Sequence, residues 1–454
     1  MSCARILCAA LLLAVTAELP AAGPGKPLQE QPLQVGWAAA DITPPRPVAL
    51  VGQLHKRISK GVLDPLTATA LALETRGQGD EKEQAVMVSC DVLFILHSVQ
   101  VRLQEKIKKE LPDFDSKKLF LNATHTHDGP GFADSTFKGL YDVSKDPGVM
   151  KESEYAEFFI DRVAQAVVRA WQGRKPGSLS WALGYAAVGS NRRAHFFDGH
   201  TAMYGNTAAP DFSHVEGQSD PGVGLLFLWQ PEGKLSGVVI NVACPSQETE
   251  NLNELSADFW HEVRGELRKR HGKDLFVLPQ CASAGDQSPH PIYRKKAEQV
   301  MEQRRGLTRR QEIARRIANA VDDVLPVAKA DVKASLIFRH TVASVDLPEQ
   351  QPPRPPFYET DSVHPAEIHV LRLGDVAIST CPFEMYIDYA TRVQGRSRAV
   401  LTMTVQLCCA ASGYLPTERG VKGGGYSADK FLVGPAGGQV LVEETVKRIN
   451  ALWP

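Results

Sequence analysis

The chain has 454 residues, of which 43% are hydrophobic and 23% are charged, a composition typical of globular proteins with a sizeable core. Its 51 basic and 52 acidic residues leave a formal net charge of -1, and this balance excludes the strongly basic surface that binds nucleic acids or anionic membranes. The length allows one large domain or two to three smaller ones.

The N-terminal stretch predicts a cleavable leader. Arg5 precedes a short apolar run over residues 6–15, and the small residues ending at Ala17 suit a signal peptidase. A bilayer-spanning helix needs about 20 apolar residues, and no later segment reaches that length. We therefore expect residues 1–17 to be a signal peptide, residues 18–35 to be an N-terminal tail, and the mature protein to be secreted or periplasmic without an integral membrane segment. A retained N-terminal anchor is the alternative.

Six cysteines remain after removal of such a leader. They are Cys90, Cys244, Cys281, Cys381, Cys408 and Cys409. An even count in an oxidising compartment permits disulfides, yet all six lie in or beside apolar runs. Both disulfides and buried free thiols are compatible with this pattern.

From residue 36 onward, short apolar runs alternate with amphipathic stretches. The runs 85–89 and 118–123 predict buried strands. Between them, residues 97–111 carry apolar side chains at helical spacing, and Pro112 cannot continue a helix. These segments predict a β-α-β unit.

The same alternation continues toward the C-terminus. The sequence predicts further helices over residues 154–171, 256–270, 302–324, 382–393 and 440–452, further strands over 223–229, 237–243, 275–279 and much of 330–382, and a proline-rich loop over 350–356. The sequence shows no internal repeat, low-complexity block or clear linker. We therefore predict an α/β fold formed by one large domain.

Two histidines, His125 and His127, stand at the end of the second predicted strand. Residues two apart on a strand project from one face, with Cα atoms about 6–7 Å apart. The Asp-Gly-Pro-Gly segment at 128–131 predicts a sharp turn that lets the backbone approach whatever the histidines hold. Imidazole is a common zinc ligand. A structural role for the pair is the alternative, and the surrounding strand and turn favour a functional site.

Three further segments carry polar side chains near the ends of predicted strands. Asp286 and Ser288 lie in a turn after one strand, where open α/β sheets place ligands, and Ser288 is a candidate nucleophile or substrate-orienting hydroxyl. Glu384 follows another strand, where a carboxylate either complements a helix dipole or acts as a ligand or base. Tyr414 closes an apolar run. Each segment alone is also explained by an ordinary turn or helix start.

Taken together, these segments resemble the neutral (non-lysosomal) ceramidases. The Thr-His-Thr-His-Asp-Gly-Pro-Gly segment at 124–131 resembles the family's Thr-His-Thr-His-Ser-Gly-Pro-Gly, and Gly-Asp-Gln-Ser-Pro at 285–289 resembles Gly-Asp-Val-Ser-Pro. Pro-Phe-Glu at 382–384 is similar to Pro-Gly-Glu-Phe, and residues 407–417 are similar to the segment that supplies a tyrosine ligand. Asn-Arg at 191–192 resembles the start of Asn-Arg-Ser-Pro. All five segments occur in the family's order.

The resemblance implies a single large ceramidase-like catalytic domain over residues 36–454, with mixed β-sheets layered with helices. It also implies one Zn²⁺ ion and hydrolysis of an N-acyl amide. Carried over by residue, His125, Glu384 and Tyr414 would be zinc ligands.

The same resemblance implies the residues that handle the substrate. His127 would contact the attacking water or the substrate and serve as base or proton relay. Ser288 and Arg192 would lie on the substrate side, and we expect them to hold the substrate and its developing oxyanion. The residue pattern itself makes Asp286 a candidate hydrogen-bond anchor of this turn.

The family's second histidine ligand has no direct counterpart. Counting back from Asp258 places Cys244 at that position. Thiolate binds zinc well, so Cys244 is expected to complete the metal shell, although it would make the metal a weaker Lewis acid. The alternatives are that Cys244 is merely a small buried residue in a metal-free or rebuilt site, or that His261 turns inward.

Two functions follow. The first is an exported zinc-dependent hydrolase of a small N-acylated or lipid-like substrate: ceramide, another N-acylated lipid or an acylated amino sugar, since Asp128 and His290 replace family residues. The second is an exported binding protein, non-catalytic or metal-free, that kept the fold. The family's C-terminal immunoglobulin-like domain is expected to be absent, because the chain ends with the catalytic unit.

Overall fold

The computed structural model of the chain describes residues 28–77, 81–134, 139–348 and 365–453. The expected signal peptide, most of the expected N-terminal tail and the proline-rich loop at 350–356 lie outside the described residues.

Helices and strands alternate along the described residues. The α-helices are α1 (His97–Glu110), α2 (Glu152–Gln172), α3 (Phe259–His271), α4 (Lys295–Arg305), α5 (Arg309–Lys329), α6 (Ile387–Arg396), α7 (Glu418–Gly423), α8 (Tyr426–Asp429) and α9 (Gly434–Ala451). The strands are β1 (Gln31–Asp41), β2 (Ala49–Leu50), β3 (Arg57–Ile58), β4 (Thr67–Arg76), β5 (Lys82–Cys90), β6 (Leu119–Ala123), β7 (Lys175–Pro176), β8 (Ser178–Tyr185), β9 (Ser190–Asn191), β10 (Arg193–Phe196), β11 (Thr201–Met203), β12 (Phe212–Val215), β13 (Gly222–Trp229), β14 (Leu235–Val242), β15 (Phe276–Cys281), β16 (Gln287–Ser288), β17 (Ser335–Leu336), β18 (Phe338–Val345), β19 (Ala366–Leu373), β20 (Val376–Thr380), β21 (Glu384–Met385), β22 (Leu401–Val405) and β23 (Tyr414–Leu415).

Three sheets form the frame of the fold. The first has the strand order β17-β1-β4-β5-β6, with β7 also paired to β1, the second has the order β15-β14-β13-β8, and the third has the order β18-β19-β20-β22. Each sheet contains one parallel pair, β5 with β6, β14 with β15 and β20 with β22, among antiparallel ones. The predicted α/β fold with mixed sheets is confirmed, as is the β-α-β unit formed by β5, α1 and β6.

The inner faces of the three sheets share one central core. Leu71 and Met87 enter it from the first sheet, Leu226 from the second and Leu371 from the third. Helices cover the outer faces: α1 and α2 pack on the first sheet, α3 and α5 on the second, and α6 and α9 on the third. Because both faces of each sheet are buried, the central strands are continuous apolar runs in the sequence.

The single long helix predicted over residues 302–324 is wrong, because two helices occupy this region. Gly306 has a φ of +64° and ends α4 in the left-handed conformation that glycine adopts without steric cost. Thr308 then begins α5 with a capping box: its hydroxyl accepts a hydrogen bond from the Gln311 N–H, and the Gln311 side chain accepts one from the Thr308 N–H. The sequence at 306–308 thus contains both the glycine that ends α4 and the threonine that caps α5.

The first turn of α2 contains a buried acid. Glu152 is 5% exposed and lies against the turn that follows the histidine pair, since a Cβ atom on Gly131 would be 2.6 Å from its Oε1. Burial, reinforced by the negative charge of Asp134, raises the pKa of Glu152 to about 8. The folded protein therefore keeps this carboxyl protonated at neutral pH.

We expect Glu152→Gln to stabilise the protein increasingly as the pH rises from about 4.5 to about 8. Above pH 4.5 the unfolded chain releases the Glu152 proton while the folded chain retains it, so the wild type loses up to about 1.4 kcal/mol of unfolding free energy per pH unit. Glutamine stays neutral at every pH and escapes this loss. Urea denaturation at several pH values measures the difference, and exposed Glu154→Gln in the same turn is the control. Equal pH dependence of the two variants would contradict the prediction.

Candidate active site

The histidine pair follows β6, in the predicted place but with a different backbone. The strand ends at Ala123, and His125 has a φ of +68°, a left-handed conformation that is uncommon outside glycine. The period-two geometry of a strand therefore does not apply. The rings of His125 and His127 meet edge to face instead, with centroids 5.0 Å apart and planes at 86°.

The surroundings of His125 define its tautomer. Its Nδ1 lies 2.7 Å from the carbonyl oxygen of Leu93, which can only accept a hydrogen bond. Nδ1 therefore carries the proton, and in the neutral ring Nε2 has a free lone pair. This Nε2 lies 3.3 Å from Oε2 of Glu384. A lone pair facing a carboxylate at this distance calls for a proton or a metal cation between them.

Glu384 and Tyr414 are neighbours because β21 and β23 pair in parallel with these two residues in register. The helix predicted over residues 382–393 begins only at Ile387, so Glu384 lies on a short strand and not in a helix turn. Burial alone would raise the pKa of Glu384, but the contact with His125 and the charge of Arg192 lower it. The carboxylate is ionised, whereas burial, followed by the negative charge of Glu384, raises the pKa of Tyr414 and keeps its phenol protonated.

Arg192 brings a fixed positive charge to the same group. Its Nη2 donates to the Tyr414 hydroxyl at 3.3 Å and to the Gly285 carbonyl at 3.0 Å, and its Nη1 donates to Oε1 of Gln247 at 3.1 Å. The side chain is 3% exposed. These three anchors hold the guanidinium beside Tyr414 and Glu384.

Asp286 lies behind Arg192 and is not among the residues that line the adjacent cavity. Its carboxylate accepts hydrogen bonds from Nδ2 of Asn191 at 2.8 Å and from the backbone N–H of Ile387 at 3.0 Å. Its carbonyl accepts from the backbone N–H of Arg192 at 2.9 Å. Burial raises the pKa of Asp286 to about 6. These contacts tie the Arg192 segment to the start of α6.

Ser288 is also one layer behind the cavity. It lies in β16, which pairs with β9, and it is fully buried. Its Oγ accepts a hydrogen bond from the Tyr204 hydroxyl at 2.9 Å and another from the backbone N–H of His290 at 3.0 Å. Tyr204, and not Ser288, lines the cavity.

Cys244 lies apart from His125 and Glu384. It is fully buried in the core that α3 and α5 cover, and its thiol contacts the carbonyl of Pro245 at 3.7 Å. Among the described residues, the His, Cys, Asp and Glu side chains that bring three donor atoms within 4.8 Å of one another do not include Cys244. Burial, followed by the neighbouring Cys281, raises the pKa of its thiol. All six cysteines named from the sequence are buried free thiols.

His127 points into the site without a hydrogen bond. Neither ring nitrogen has a hydrogen-bond partner among the described residues, and the closest charged contact is Oε2 of Glu250, 3.5 Å from Nδ1. Burial, followed by the charge of His125, lowers the pKa of His127 to about 3. A Cβ atom on Gly52, whose φ is +108°, would lie 2.7 Å from Nδ1, so this glycine makes room for the ring.

Sequence reasoning missed Glu250 and the network behind it. Oε1 of Glu250 lies 3.3 Å from Nε2 of His290, whose Nδ1 is 3.2 Å from Oε2 of Glu248. Burial opposes ionisation of Glu250, but the contacts with His290 and His127 outweigh it and lower the pKa of Glu250 to about 2. The Gln-Glu-Thr-Glu run at 247–250, soon after the end of β14, was the available signal.

Several of the side chains described above line a cavity of about 570 Å³. Its polar lining includes Gln53, His125, His127, Arg192, Thr201, Tyr204, Gln247, Glu250, Glu384, Tyr414 and Tyr426. Its apolar lining includes Leu54, Leu93, Phe94, Leu96, Met203, Leu407 and Ala411. A polar cluster beside apolar side chains in a cavity of this size is the usual form of a small-molecule site. Elsewhere, none of the helices in the described residues is both long and apolar enough to cross a bilayer.

Comparisons with known proteins found relatives by sequence and by fold. Residues 33–200 match the family model described as neutral/alkaline non-lysosomal ceramidase, N-terminal. A neutral ceramidase of Pseudomonas aeruginosa is 24% identical over 229 residues, which are 49% of this chain and 32% of that protein. The aligned part thus spans about a third of that relative.

Solved structures show the same fold. The crystal structure of neutral ceramidase from Pseudomonas aeruginosa superposes with a TM-score of 0.71 at 17% identity, covering 93% of this chain and 75% of that one. A structure described as ceramidase complexed with C2 gives a TM-score of 0.70 at 17% identity, with the same coverage of 93% and 75%. The chain therefore has the fold of the neutral ceramidases, and its resemblance to the neutral/alkaline non-lysosomal ceramidase family is confirmed.

Proposed function

We propose that this protein is a metal-dependent hydrolase that cleaves the amide bond of ceramide or a closely related N-acylated lipid. The observation that carries the proposal is the convergence of His125, Glu384, Tyr414 and Arg192 on one cavity that also has an apolar lining. The match to the ceramidase family over residues 33–200 supports the reaction class.

The donor set fits a catalytic zinc ion. Such sites use three protein ligands and leave a position for water. The Nε2 lone pair of His125, the carboxylate of Glu384 and the phenol of Tyr414 supply three donors, so we propose a shell that does not need Cys244. When bound, the metal would lower the pKa of a water molecule and polarise the scissile carbonyl.

His127 is proposed to take the proton of the attacking water. At neutral pH its ring is uncharged because its pKa is depressed, and its nitrogens have no competing hydrogen-bond partner. The Glu250 carboxylate near Nδ1 would stabilise the imidazolium that forms, as an acid does behind a catalytic histidine. In this arrangement Glu250 acts through His127.

Arg192 is proposed to stabilise the oxyanion. Its guanidinium is already anchored by Gly285, Gln247 and Tyr414, so little reorganisation is needed when negative charge develops on the substrate. Ser288 would orient Tyr204 through the hydrogen bond between their hydroxyls. Asp286 would hold the segment that carries Arg192.

The lining favours a lipid over an acylated sugar. Leu93, Phe94, Leu96 and Leu407 offer apolar contacts to a second alkyl chain, such as that of a sphingoid base, which an acylated sugar lacks. We also propose that residues 1–17 direct export and that the catalytic unit extends over residues 36–454.

The test is fatty-acid release by the purified, zinc-loaded protein. We expect an N-acylsphingosine to be hydrolysed and an N-acylated amino sugar of equal acyl length to be hydrolysed at least about tenfold more slowly, because the sugar lacks the sphingoid alkyl chain and a single lost methylene contact is worth about 1–3 kcal/mol. Chelation should stop the reaction and zinc should restore it. Ceramide binding by a zinc-loaded protein that releases no fatty acid would instead identify a binding protein, the second function that the displaced Cys244 supports.

A further inference from the structure

A second group of side chains of the types that bind metals lies outside the cavity. Glu367 and His369 are two apart on β19 and project from the same face. Cys409, in the segment between β22 and β23, completes the group, and the three donor atoms lie within 4.8 Å of one another. None of the three lines the cavity described above. The proposed reaction uses none of them.

A chain of hydrogen bonds determines which nitrogen of His369 is available. Nδ1 of His340 lies 3.0 Å from the carbonyl oxygen of Gln84, which can only accept, so this nitrogen carries the proton. In the neutral ring the other nitrogen, Nε2, therefore carries a lone pair. That lone pair lies 2.9 Å from Nδ1 of His369, which must therefore be the donor.

This relay leaves Nε2 of His369 facing a carboxylate. In a neutral His369 ring, Nε2 carries a lone pair, and it lies 3.1 Å from Oε1 of Glu367. A lone pair and a carboxylate oxygen at this distance repel each other unless a cation or a second ring proton lies between them. A buried histidine whose other nitrogen is fixed by a hydrogen bond is the usual arrangement of a metal ligand.

The geometry and donor types suit zinc. Ligand atoms of a tetrahedral zinc site are about 3.3–3.6 Å apart, given Zn–S and Zn–N or Zn–O distances of about 2.3 and 2.1 Å. The donor atoms of this group lie within 4.8 Å of one another, and Nε2 of His369 is 3.1 Å from Oε1 of Glu367, so their spacing is close to that value. One nitrogen, one carboxylate oxygen and one sulfur also form a ligand set that zinc prefers over calcium or magnesium.

We propose that Glu367, His369 and Cys409 bind a zinc ion, with water as the fourth ligand. The Glu367 side chain is 23% exposed, whereas His369 is 0% exposed, so the site meets solvent at Glu367. Binding releases the thiol proton of Cys409 to solvent as the sulfur–zinc bond forms. The ion would join β19 to the 407–414 segment, whose Leu407 and Tyr414 line the cavity.

Cobalt substitution tests this site separately from the cavity. The full-length chain, freed of metal and loaded with Co²⁺, should show a thiolate-to-cobalt charge-transfer band in the near ultraviolet. Cys409→Ser should lose the band, whereas Cys244→Ser, an equally buried thiol outside the group, should retain it. Absence of the band in the wild type, or its persistence in Cys409→Ser, would overturn the proposal.

A second measurement covers the case in which Cys409→Ser does not fold. The His125→Ala protein, which lacks the histidine donor of the cavity, is compared with the double variant that also carries His369→Gln. Zinc should raise the melting temperature of the His125→Ala protein and leave that of the double variant unchanged, because a ligand stabilises only the state that binds it. Equal zinc content and an equal zinc-dependent shift in both proteins would also overturn the proposal.

Discussion

Replacing His125 with alanine should reduce amide hydrolysis by more than about 10³-fold and remove one equivalent of bound zinc. The variant loses the Nε2 lone pair that faces Glu384, while removal of a single oxyanion donor already costs about 10²–10³-fold in other hydrolases. Metal analysis of the purified protein and fatty-acid release measure the two effects. The fold should persist, because His125 contributes one hydrogen bond, to Leu93, outside the site.

Two controls separate the metal from the fold. His200→Ala removes an exposed histidine that also pairs with an acid, Asp198, and should change neither readout. Cys244→Ala should keep its zinc, because the thiol lies apart from His125 and Glu384. Loss of one zinc equivalent in Cys244→Ala would restore the four-ligand shell expected from the family resemblance and refute the three-ligand shell proposed from the structure.

Replacing Arg193 with methionine should have the largest effect on stability, a loss of about 3–5 kcal/mol, because it leaves a buried carboxylate without its partner. Arg193 is 0% exposed and Glu216 is 4% exposed, and two hydrogen bonds of 2.9 Å join them. The guanidinium also donates to the carbonyls of Gly420 at 3.1 Å and Gly424 at 2.7 Å. The cost should be visible in the free energy of unfolding from urea titrations.

The Arg193 substitution should also alter the cavity. Arg193 holds the segment that contains Gly420 and Gly424, and this segment continues into Gly425 and Tyr426, which line the cavity. We therefore expect a higher KM for the amide substrate. Adding Glu216→Leu should recover much of the lost stability, since apolar replacement of both partners removes the unpaired charge. Arg396→Met, in an exposed pair with Glu443, should cost far less stability, because solvent screens both charges. Equal losses at Arg193 and Arg396 would contradict the burial argument.

Local signals in the sequence account for much of the fold. The apolar runs of β5 and β6, with the amphipathic segment between them, predicted the β-α-β unit, since burial and periodicity are properties of a short stretch. They also placed His125 and His127 at a strand end. Where the prediction failed, the competing signal was local too: the positive φ of Gly306 and the capping box at Thr308 divided the helix predicted over residues 302–324.

The tertiary structure decided how these residues meet. His125 acquires its direction from a left-handed backbone and from the Leu93 carbonyl, which is 32 positions away in the chain. The parallel pairing of β21 with β23 brings Glu384 to Tyr414. Neither contact follows from spacing, because both depend on loops whose ends are set by the packing of three sheets around a common core.

The same packing determined what the sequence left open. Whether Cys244 faces a metal or the core depends on one turn after β14, and its thiol lies in the core that α3 and α5 cover. Glu250, from the same connection, enters the cavity beside His127. Sequence alone thus determined the fold class, the family resemblance and the strand ends that carry candidate residues. Tertiary structure alone decided which side chains share the cavity, because side-chain direction in a loop is set by long-range contacts.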